Sequence, residues 1–269
     1  MKKKELKEEQ ITGSNIKRRT LVSFSVFFVL LGLGIGGWIW LNKQDTSDGT
    51  LKPLRKVLNA NEKVNNAFFS DNHLVKEYPK SKAEKDVRVN GDVGMGEDYK
   101  FENWKLTINR HPESMSPDSV LYLTVNDVKS LPYKGIIFDF KCIEGWSQVT
   151  NWGGVKFSDF LAHYHLGTHS GRAPDPNHPE DLYKYVGLMT PDSAYYVGID
   201  MKSMMHPQTI LAYEMNDSIL PVDQGYPVRL IIPIKYGIKS IKRIGYIYFS
   251  DTRPKDYWFE RGYDYDAAL

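Results

Sequence analysis

The sequence predicts an α+β protein in which strands predominate, with one membrane-spanning helix ahead of the folded part. Two observations carry this prediction. Residues 21–41 contain no charged side chain, which is typical of a transmembrane segment. Beyond them, short runs of β-branched and aromatic residues alternate with Gly, Pro, Asp and Asn, as strands alternate with turns. We find no repeated unit that would indicate a solenoid or a propeller.

The start of the chain is expected to form a membrane anchor. At about 1.5 Å per helical residue, residues 21–41 span a hydrocarbon core of roughly 30 Å. A basic cluster precedes this span and indole rings lie near its end, as at the two faces of a membrane (Lys17, Arg18 and Arg19; Trp38 and Trp40). The positive-inside rule therefore places residues 1–20 in the cytoplasm and residues 42–269 on the periplasmic or extracytoplasmic side.

Two other interpretations of this N-terminal segment stay open. A cleavable signal peptide would have a shorter apolar core and a small-residue cleavage site, whereas Trp-Ile-Trp-Leu-Asn-Lys follows here, so a retained anchor is favoured. Arg18 and Arg19, followed by apolar residues, also resemble a twin-arginine export signal, although any cytoplasmic flank can carry paired basic residues.

The exported part divides into a short polar linker, residues 42–50, and one domain, residues 51–269. Near the start of this domain, apolar side chains between residues 54 and 68 recur at helical spacing and predict a helix. Strands are predicted at residues 104–108, 119–125, 135–140, 195–199, 228–234 and 244–249.

Two short helices are also expected in this domain. One covers residues 159–165, with Ser158 as its N-cap. The other covers residues 201–205, with Asp200 as its N-cap.

The charge balance and the cysteine count exclude several classes of protein. Lys and Arg number 35 against 33 Asp and Glu, and seven of the basic residues lie in the first 20 positions. The rest of the chain therefore has no excess positive charge to attract a nucleic-acid backbone. The single cysteine, Cys142, excludes an intramolecular disulfide and any four-cysteine zinc or iron–sulfur site held by this chain alone.

Cys142 stands where a strand-like run gives way to a loop, and Gly145 permits a tight turn directly after the thiol. A lone cysteine is often an inert buried residue. A thiol at the end of a strand can also reach into a cleft, so a metal ligand and a nucleophile with a histidine base are the functional alternatives.

Four segments, in order along the chain, carry a resemblance to a known family. They are Phe-Ser-Asp-Asn-His-Leu at 69–74, the Cys-Ile-Glu-Gly-Trp loop at 142–146 with Trp-Gly-Gly-Val at 152–155, the stretch 211–229, and residues 235–242. Together they resemble the sulfite oxidase family of molybdopterin-dependent oxidoreductases, and within it the periplasmic methionine sulfoxide reductases. Four ordered segments form a specific match, which implies a sulfite-oxidase-like molybdopterin-binding fold over residues 59–269.

The resemblance implies a Mo-molybdopterin cofactor and assigns residues around it. Cys142 would be the protein ligand of the molybdenum, since a soft thiolate suits such a metal. Arg229, Ser240, Lys242 and the backbone of Ile241 would hold the cofactor phosphate. Four other positions would supply further cofactor contacts, each with a cap or a satisfied buried polar group as its structural alternative: Asn72, His73, Thr190 and Gln224.

Two residues are expected on the substrate side. Asp71 stands where sulfite-oxidising members carry an Arg, and its charge would repel sulfite unless another cation compensates (Arg172, Arg253 or Arg261). Residues 64–68 could instead align with an Asn-Asn-aromatic segment of the sulfoxide reductases, which leaves this register open. Trp258 would roof the substrate pocket or else pack in the core.

The resemblance therefore predicts a membrane-anchored molybdenum oxidoreductase that transfers an oxygen atom in two-electron steps, reducing a sulfoxide or a similar small-molecule oxide. A sulfite-type oxidase is the alternative. A haem-bearing or quinone-linked membrane protein is expected as the redox partner. Two other classes stay open, namely zinc or copper binding by His163, His165 and His169, and a cofactor-free subunit of a membrane complex.

Overall fold

The computed structural model describes residues 13–68, 70, 73–96, 99–110 and 119–269. The first element is α1, Gly13–Asn42, a 30-residue helix with no buried residue. Among the described residues, α1 is the one helix that is long and apolar enough to cross a membrane. A signal sequence near the N-terminus would have the same length and hydropathy. The predicted apolar span thus lies inside a single continuous helix.

A small hairpin and a second helix follow α1. The strands β1, Thr46–Ser47, and β2, Thr50–Leu51, pair antiparallel across a turn at Asp48 and Gly49, so part of the expected linker has regular structure. Helix α2, Lys52–Phe68, contains the helix predicted over 54–68 and begins two residues earlier. Pro53 lies in its first turn, where its missing N–H leaves no backbone hydrogen bond unmade.

The rest of the described chain forms two five-stranded sheets. One has the order β10-β9-β6-β5, with β11 paired to β9, and every pairing is antiparallel. The other has the order β4-β3-β12-β7-β8, in which only the pairing of β12 with β3 is parallel. The bounds are β3 Leu106–Asn109, β4 Val120–Leu123, β5 Tyr133–Lys141, β6 Ser147–Lys156, β7 Tyr185–Met189, β8 Tyr196–Asp200, β9 Ile210–Met215, β10 Ser218–Ile219, β11 Arg229–Ile231 and β12 Tyr246–Ser250.

Three short α-helices lie between strands in the described chain: α3 Val125–Lys129, α4 Phe157–Tyr164 and α5 Met201–Met204. The larger hydrophobic core includes side chains of both sheets and of α4, among them Ile108, Phe160 and Phe249, which are fully buried. A smaller core lies under the β5–β6 hairpin around Phe138 and Trp152. This hairpin is the longest in the described chain, and its turn carries Cys142.

The short helices test the predicted caps. Asp200 is confirmed as the N-cap of α5, because its side chain accepts a hydrogen bond from the N–H of Ser203 at 2.8 Å. The Ser158 cap is wrong: α4 begins at Phe157, and Lys156 occupies the N-cap position without a side-chain hydrogen bond. Burial of the apolar face of α4 determines where this helix begins, since Phe157 is fully buried.

The predicted strands are present with shifted ends. The strand expected over 119–125 ends at Leu123, because Thr124 and Asp127 form a capping box that starts α3. The strand expected over 228–234 is reduced to Arg229–Ile231, because Pro233 has no N–H to pair. The sequence did not indicate β6, β7 and β9; β6 and β7 contain glycines that mask their strand character.

Candidate active site

A cavity of about 160 Å³ lies beyond the turn of the β5–β6 hairpin. Its walls come from this hairpin, from residues 87–93, from the chain around β11, from residues 237–242 and from the C-terminal segment. Seven of the residues predicted from the sequence line it: Cys142, Gln224, Arg229, Ser240, Ile241, Lys242 and Trp258.

The β5–β6 turn fixes Cys142 at the cavity wall. The Cys142 N–H donates to the carbonyl of Trp146 at 2.9 Å, and the Cys142 carbonyl accepts from the N–H of Gly145 at 3.1 Å. Gly145 has a φ of +88°, a conformation that strongly favours glycine. Cys142 is 6% exposed, and its Sγ accepts a hydrogen bond from Asn90 Nδ2 at 3.4 Å. A single soft ligand is therefore held at the edge of the cavity.

Arg229 is a buried cation bonded only to neutral groups. Its guanidinium donates to the carbonyl of Gln224 at 2.9 Å, to Gln224 Oε1 at 3.1 Å and to the carbonyl of Ser240 at 3.0 Å. Its Nε is buried without a hydrogen-bond partner, and its Cζ lies 4.7 Å from the centre of the Trp152 ring. Burial lowers the pKa of Arg229 to about 9, because no acidic side chain compensates the charge.

Lys242 places a second cation at the same cavity. Its Nζ donates to the carbonyls of Gly91 at 3.0 Å and Asp223 at 2.8 Å. Burial is the main cause that lowers the pKa of Lys242 to about 8; the charge of Arg229 contributes to this shift, and the carboxylates of Asp223 and Asp92 oppose it. Gly225, at a φ of +109°, lets the chain at Lys242 approach closely, since a side chain there would collide with Lys242.

Ser240 and Ile241 connect the two cations through a tight turn. The Ser240 N–H donates to the carbonyl of Gly237, and the Ile241 N–H donates to the carbonyl of Lys239, each at 3.0 Å. Ser240 Oγ accepts from the N–H of Ile232 at 3.4 Å. A backbone contact from Ile241 to a phosphate would have to share or replace its bond to Lys239.

The end of the cavity at Arg229 and Lys242 has the charge of an anion pocket, whereas the carboxylate of Glu144 lines the cavity near Cys142. None of the ion pairs within the described chain includes Arg229 or Lys242, although both line one cavity. A buried cation without a counter-charge is costly, and an entering anion removes that cost. The residues present therefore suit a ligand that brings a phosphate to Arg229 and a metal to the thiol of Cys142.

Residues 87–93 contribute cavity residues that sequence reasoning missed. The Gln224 side chain donates to the carbonyls of Val87 and Arg88, both at 3.3 Å, and so fixes this segment across the site. Arg88 lies over the Trp146 ring at 4.8 Å, and Asn90 donates to Glu144 Oε2 at 3.2 Å. Arg-Val-Asn-Gly is a polar loop without periodicity, so no sequence signal indicated that it reaches Cys142.

Aromatic side chains form another part of the wall. Trp258 and Tyr263 pack edge to face with ring centres 5.0 Å apart, and both line the cavity. The Tyr195 hydroxyl donates to the carbonyl of Ile238 at 2.6 Å, and burial raises the pKa of this phenol. The structure thus places Trp258 at the cavity rather than in the core.

Other predicted residues lie elsewhere or outside the described residues. Thr190 is fully buried in the turn between β7 and β8, where its hydroxyl donates to Asp192 at 2.6 Å and accepts from the Tyr195 N–H at 3.1 Å. It is not among the cavity-lining residues, and its hydrogen bonds are those of a turn residue; the cofactor contact expected of Thr190 stays a prediction. His73 is exposed and does not line the cavity either. Asp71 and Asn72 lie outside the described residues.

The three arginines considered as compensating cations do not reach the cavity. Arg253 forms an ion pair with Glu62, and Arg261 lies over the Tyr257 ring at 3.5 Å. Neither they nor Arg172 line the site. Arg88 is the additional cation that the structure places there.

The histidine cluster does not form a metal site in the described part of the chain. His165 is the C-cap of α4 with a φ of +53°, and His169 packs on Tyr183 with ring centres 4.1 Å apart. No group of three potential metal ligands comes together among the described residues, His163 included. The zinc or copper hypothesis therefore finds no support in the geometry.

Comparison with known proteins gives a consistent result. The family model described as an oxidoreductase molybdopterin binding domain matches residues 93–258. The protein-methionine-sulfoxide reductase catalytic subunit of Campylobacter jejuni is 30% identical over 62% of this chain and 55% of its own length, and the corresponding subunit of Ralstonia nicotianae is 31% identical over 56% and 48%. The subunit YedZ1 of Azospira oryzae is 29% identical over 76% of this chain and 72% of its own length.

The chain thus spans about half the length of the two catalytic subunits. Among solved structures, the sulfane dehydrogenase SoxCD of Paracoccus pantotrophus matches with a TM-score of 0.46 and 19% identity, over 58% of this chain and 40% of that one.

Proposed function

The chain belongs to the family of molybdopterin-binding oxidoreductase domains, and we propose that it is a membrane-anchored enzyme that reduces a sulfoxide or a similar small-molecule oxide. Membership makes it an oxidoreductase with Mo-molybdopterin as its cofactor. One observation carries the assignment of the site. The free thiol of Cys142 and two cations that form no ion pair within the described chain, Arg229 and Lys242, line the same cavity.

The residues of this cavity would hold the cofactor at its two ends. The thiolate of Cys142 would ligate the molybdenum, while Arg229 and Lys242 would bind the phosphate, with Ser240 and the backbone of Ile241 beside them. When bound, the cofactor supplies a metal that accepts or donates an oxygen atom and two electrons. The protein holds the ligand sulfur, balances the phosphate charge and excludes water through its aromatic wall.

Arg88 and Asn90 would act at the substrate end. The Arg88 guanidinium, stacked on Trp146, can donate hydrogen bonds to the oxygen of a sulfoxide or N-oxide. Asn90 donates to Cys142 Sγ and to Glu144, so it holds the ligand loop in place. Trp258 and Tyr263 would cover the apolar part of the substrate.

Reduction is proposed as the direction of transfer because the two catalytic subunits similar to this chain are named methionine sulfoxide reductases. A sulfite-type oxidase is the second candidate, and Arg88 is the observation that favours it. This cation lines the cavity and could attract an anion, as an arginine does in sulfite-oxidising members.

The cellular arrangement is part of the proposal. Helix α1 would remain as a single-pass anchor, with the N-terminus in the cytoplasm and the domain on the periplasmic or extracytoplasmic side. A haem-bearing or quinone-linked membrane protein would exchange electrons with the domain. Export after cofactor insertion would suit a twin-arginine route, for which Arg18 and Arg19 are the candidate signal.

A comparison of two assays on the purified full chain tests the direction of transfer. We expect oxidation of reduced benzyl viologen by methionine sulfoxide, dimethyl sulfoxide or trimethylamine N-oxide, and no such activity in Cys142→Ala. Reduction of ferricyanide by sulfite, with no activity on any oxide, would replace the proposed function by its alternative. Carbonate extraction of membranes tests the anchor, since release of the chain into the supernatant would refute it.

A further inference from the structure

Helix α2 presents an apolar stripe that the described part of the protein leaves uncovered. Leu54, Val57, Val64 and Phe68 are 43%, 56%, 54% and 84% exposed. At about 100° per residue, these four side chains project within about 80° of one another along the helix. A stripe of this kind on a surface helix normally packs against an apolar phase.

The side of α2 that contacts the domain is polar. Arg55 is 5% exposed and donates to the carbonyls of Tyr263 at 2.7 Å and Phe259 at 3.0 Å, and its Cζ lies 4.1 Å from the centre of the Phe259 ring. About two turns further along the same side, Glu62 forms an ion pair with Arg253. The domain therefore fixes the rotation of α2, and the apolar stripe points about 135° away from this contact.

The hairpin ahead of α2 holds the same C-terminal segment. Gly49 packs so closely on residues 260–262 that a side chain there would collide with the Glu260 carbonyl. The Asp48 carbonyl accepts a hydrogen bond from Arg55. Because Trp258 and Tyr263 flank this contact and line the cavity, the hairpin and α2 together support the cavity rim.

The length of chain between α1 and this contact places the stripe near the end of the apolar helix. Asp48 lies six positions after Asn42, the last residue of α1. At about 3.3–3.6 Å per extended residue, this stretch reaches at most about 22 Å. Helix α2 begins at Lys52, directly after the hairpin. If α1 spans the bilayer, α2 therefore starts close to the membrane surface.

We infer that α2 is an interfacial helix, which lies on the bilayer with Leu54, Val57, Val64 and Phe68 in the boundary between headgroups and acyl chains. A helix with an apolar stripe, a polar opposite face and low overall hydrophobicity is typical of this location. Lys56 and Lys63 project about 100° from the domain contact and about 125° from the centre of the apolar stripe, clear of the acyl chains. The bilayer thereby holds the domain in one orientation, with the cavity rim close to the membrane and within reach of a membrane-embedded redox partner. This inference rests on the proposed anchoring of α1.

Nitroxide accessibility on the full chain tests the inference. Single cysteines are introduced by Val57→Cys and Val64→Cys, with Lys56→Cys and Lys63→Cys as matched exposed controls on the other flank and Leu30→Cys as a marker of the α1 span. The wild-type chain, whose Cys142 is buried, gives the labelling background. Each variant is reconstituted in vesicles of phosphatidylcholine and phosphatidylglycerol, and collisions with oxygen and with a water-soluble nickel chelate are compared.

We expect labels at 57 and 64 to favour oxygen over the nickel chelate by several-fold relative to labels at 56 and 63. Equal access of the chelate at 63 and 64 would overturn the inference while leaving the anchor intact, provided that Leu30 reports lipid. Protection of 57 and 64 from both reagents would assign the stripe to a protein contact and would overturn the inference as well. A label at Leu30 that reports water would remove the anchor, and the inference would fall with it.

Discussion

Phosphate should stabilise the cofactor-free protein through Arg229 and Lys242. Both cations are bonded only to neutral groups in the described structure, and the Nε of Arg229 has no partner. Inorganic phosphate added to protein from a host that cannot make molybdopterin would bring the missing counter-charge. Because it binds the folded state and not the unfolded chain, it should raise the melting temperature.

The structure sets the size of this effect. Burial lowers the pKa of Arg229 to about 9, and at about 1.4 kcal/mol per pKa unit the difference from an ordinary guanidinium gives a ceiling of about 5 kcal/mol. A dissociation constant of about 1 mM corresponds to about 4 kcal/mol, within that ceiling. At ten times this concentration the stabilisation is about 1.4 kcal/mol. A domain of this size should then melt about 3–6 °C higher.

Differential scanning calorimetry of the full chain in detergent measures this shift, with sodium chloride at matched ionic strength as the reference. Arg229→Gln should abolish the shift, whereas Arg261→Gln, which removes a cation outside the cavity, should retain it. Equal stabilisation of wild type and Arg229→Gln would show that phosphate acts elsewhere, and the reasoning about an anion pocket would be refuted.

Three further predictions concern pH, substrate binding and metal. The pKa of Lys242 is lowered to about 8 and that of Arg229 to about 9, so both side chains are charged at lower pH. The increase in melting temperature that phosphate causes should therefore be largest below about pH 8 and decline as the pH rises through 9. An increase that stays constant up to about pH 10 would contradict these pKa values. Arg88→Gln should raise the KM for the oxide substrate by roughly tenfold or more, because a charged hydrogen bond is lost, and the molybdenum content should stay unchanged. An unchanged KM would show that Arg88 does not bind the substrate. Replacing His163, His165 and His169 together by Ala should leave the metal content of the purified chain unchanged, and loss of bound zinc or copper would restore the metal-cluster hypothesis.

The sequence indicated most of one half of the site. Cys142, Gln224, Arg229 and Lys242 belong to ordered motifs, so a resemblance could identify them, and the structure brings all of them to one cavity, which Trp258 near the C-terminus also lines. Their identification did not depend on knowing which strands pair.

The other half of the site depends on packing that has no local signature. Asn90 bonds to Cys142 and Arg88 packs on Trp146 from a loop more than 50 residues earlier in the chain, which the Gln224 side chain holds in place. Thr190, by contrast, was indicated by the sequence but does not line the cavity. This threonine matches a family position, and its side chain closes the hairpin turn between β7 and β8.

The fold shows the same limit. Patterns of β-branched residues predicted several strands, but β6 carries paired glycines at 153 and 154, where it bulges against β9, and glycine has little strand preference by itself. Gly154 is required because a side chain would collide with the Leu211 carbonyl. Contacts between neighbouring strands determine which positions require glycine, and these contacts cannot be read from the hydrophobic pattern of a single strand.

The molybdenum content of the full chain, purified from a host that makes molybdopterin, tests the central claim most directly. We predict about one molybdenum atom per chain in the wild type, its loss in Cys142→Ala, and its retention in Arg261→Gln, which changes an arginine outside the cavity. A folded wild-type chain that contains no molybdenum, or a Cys142→Ala variant that keeps the full amount, would contradict the account.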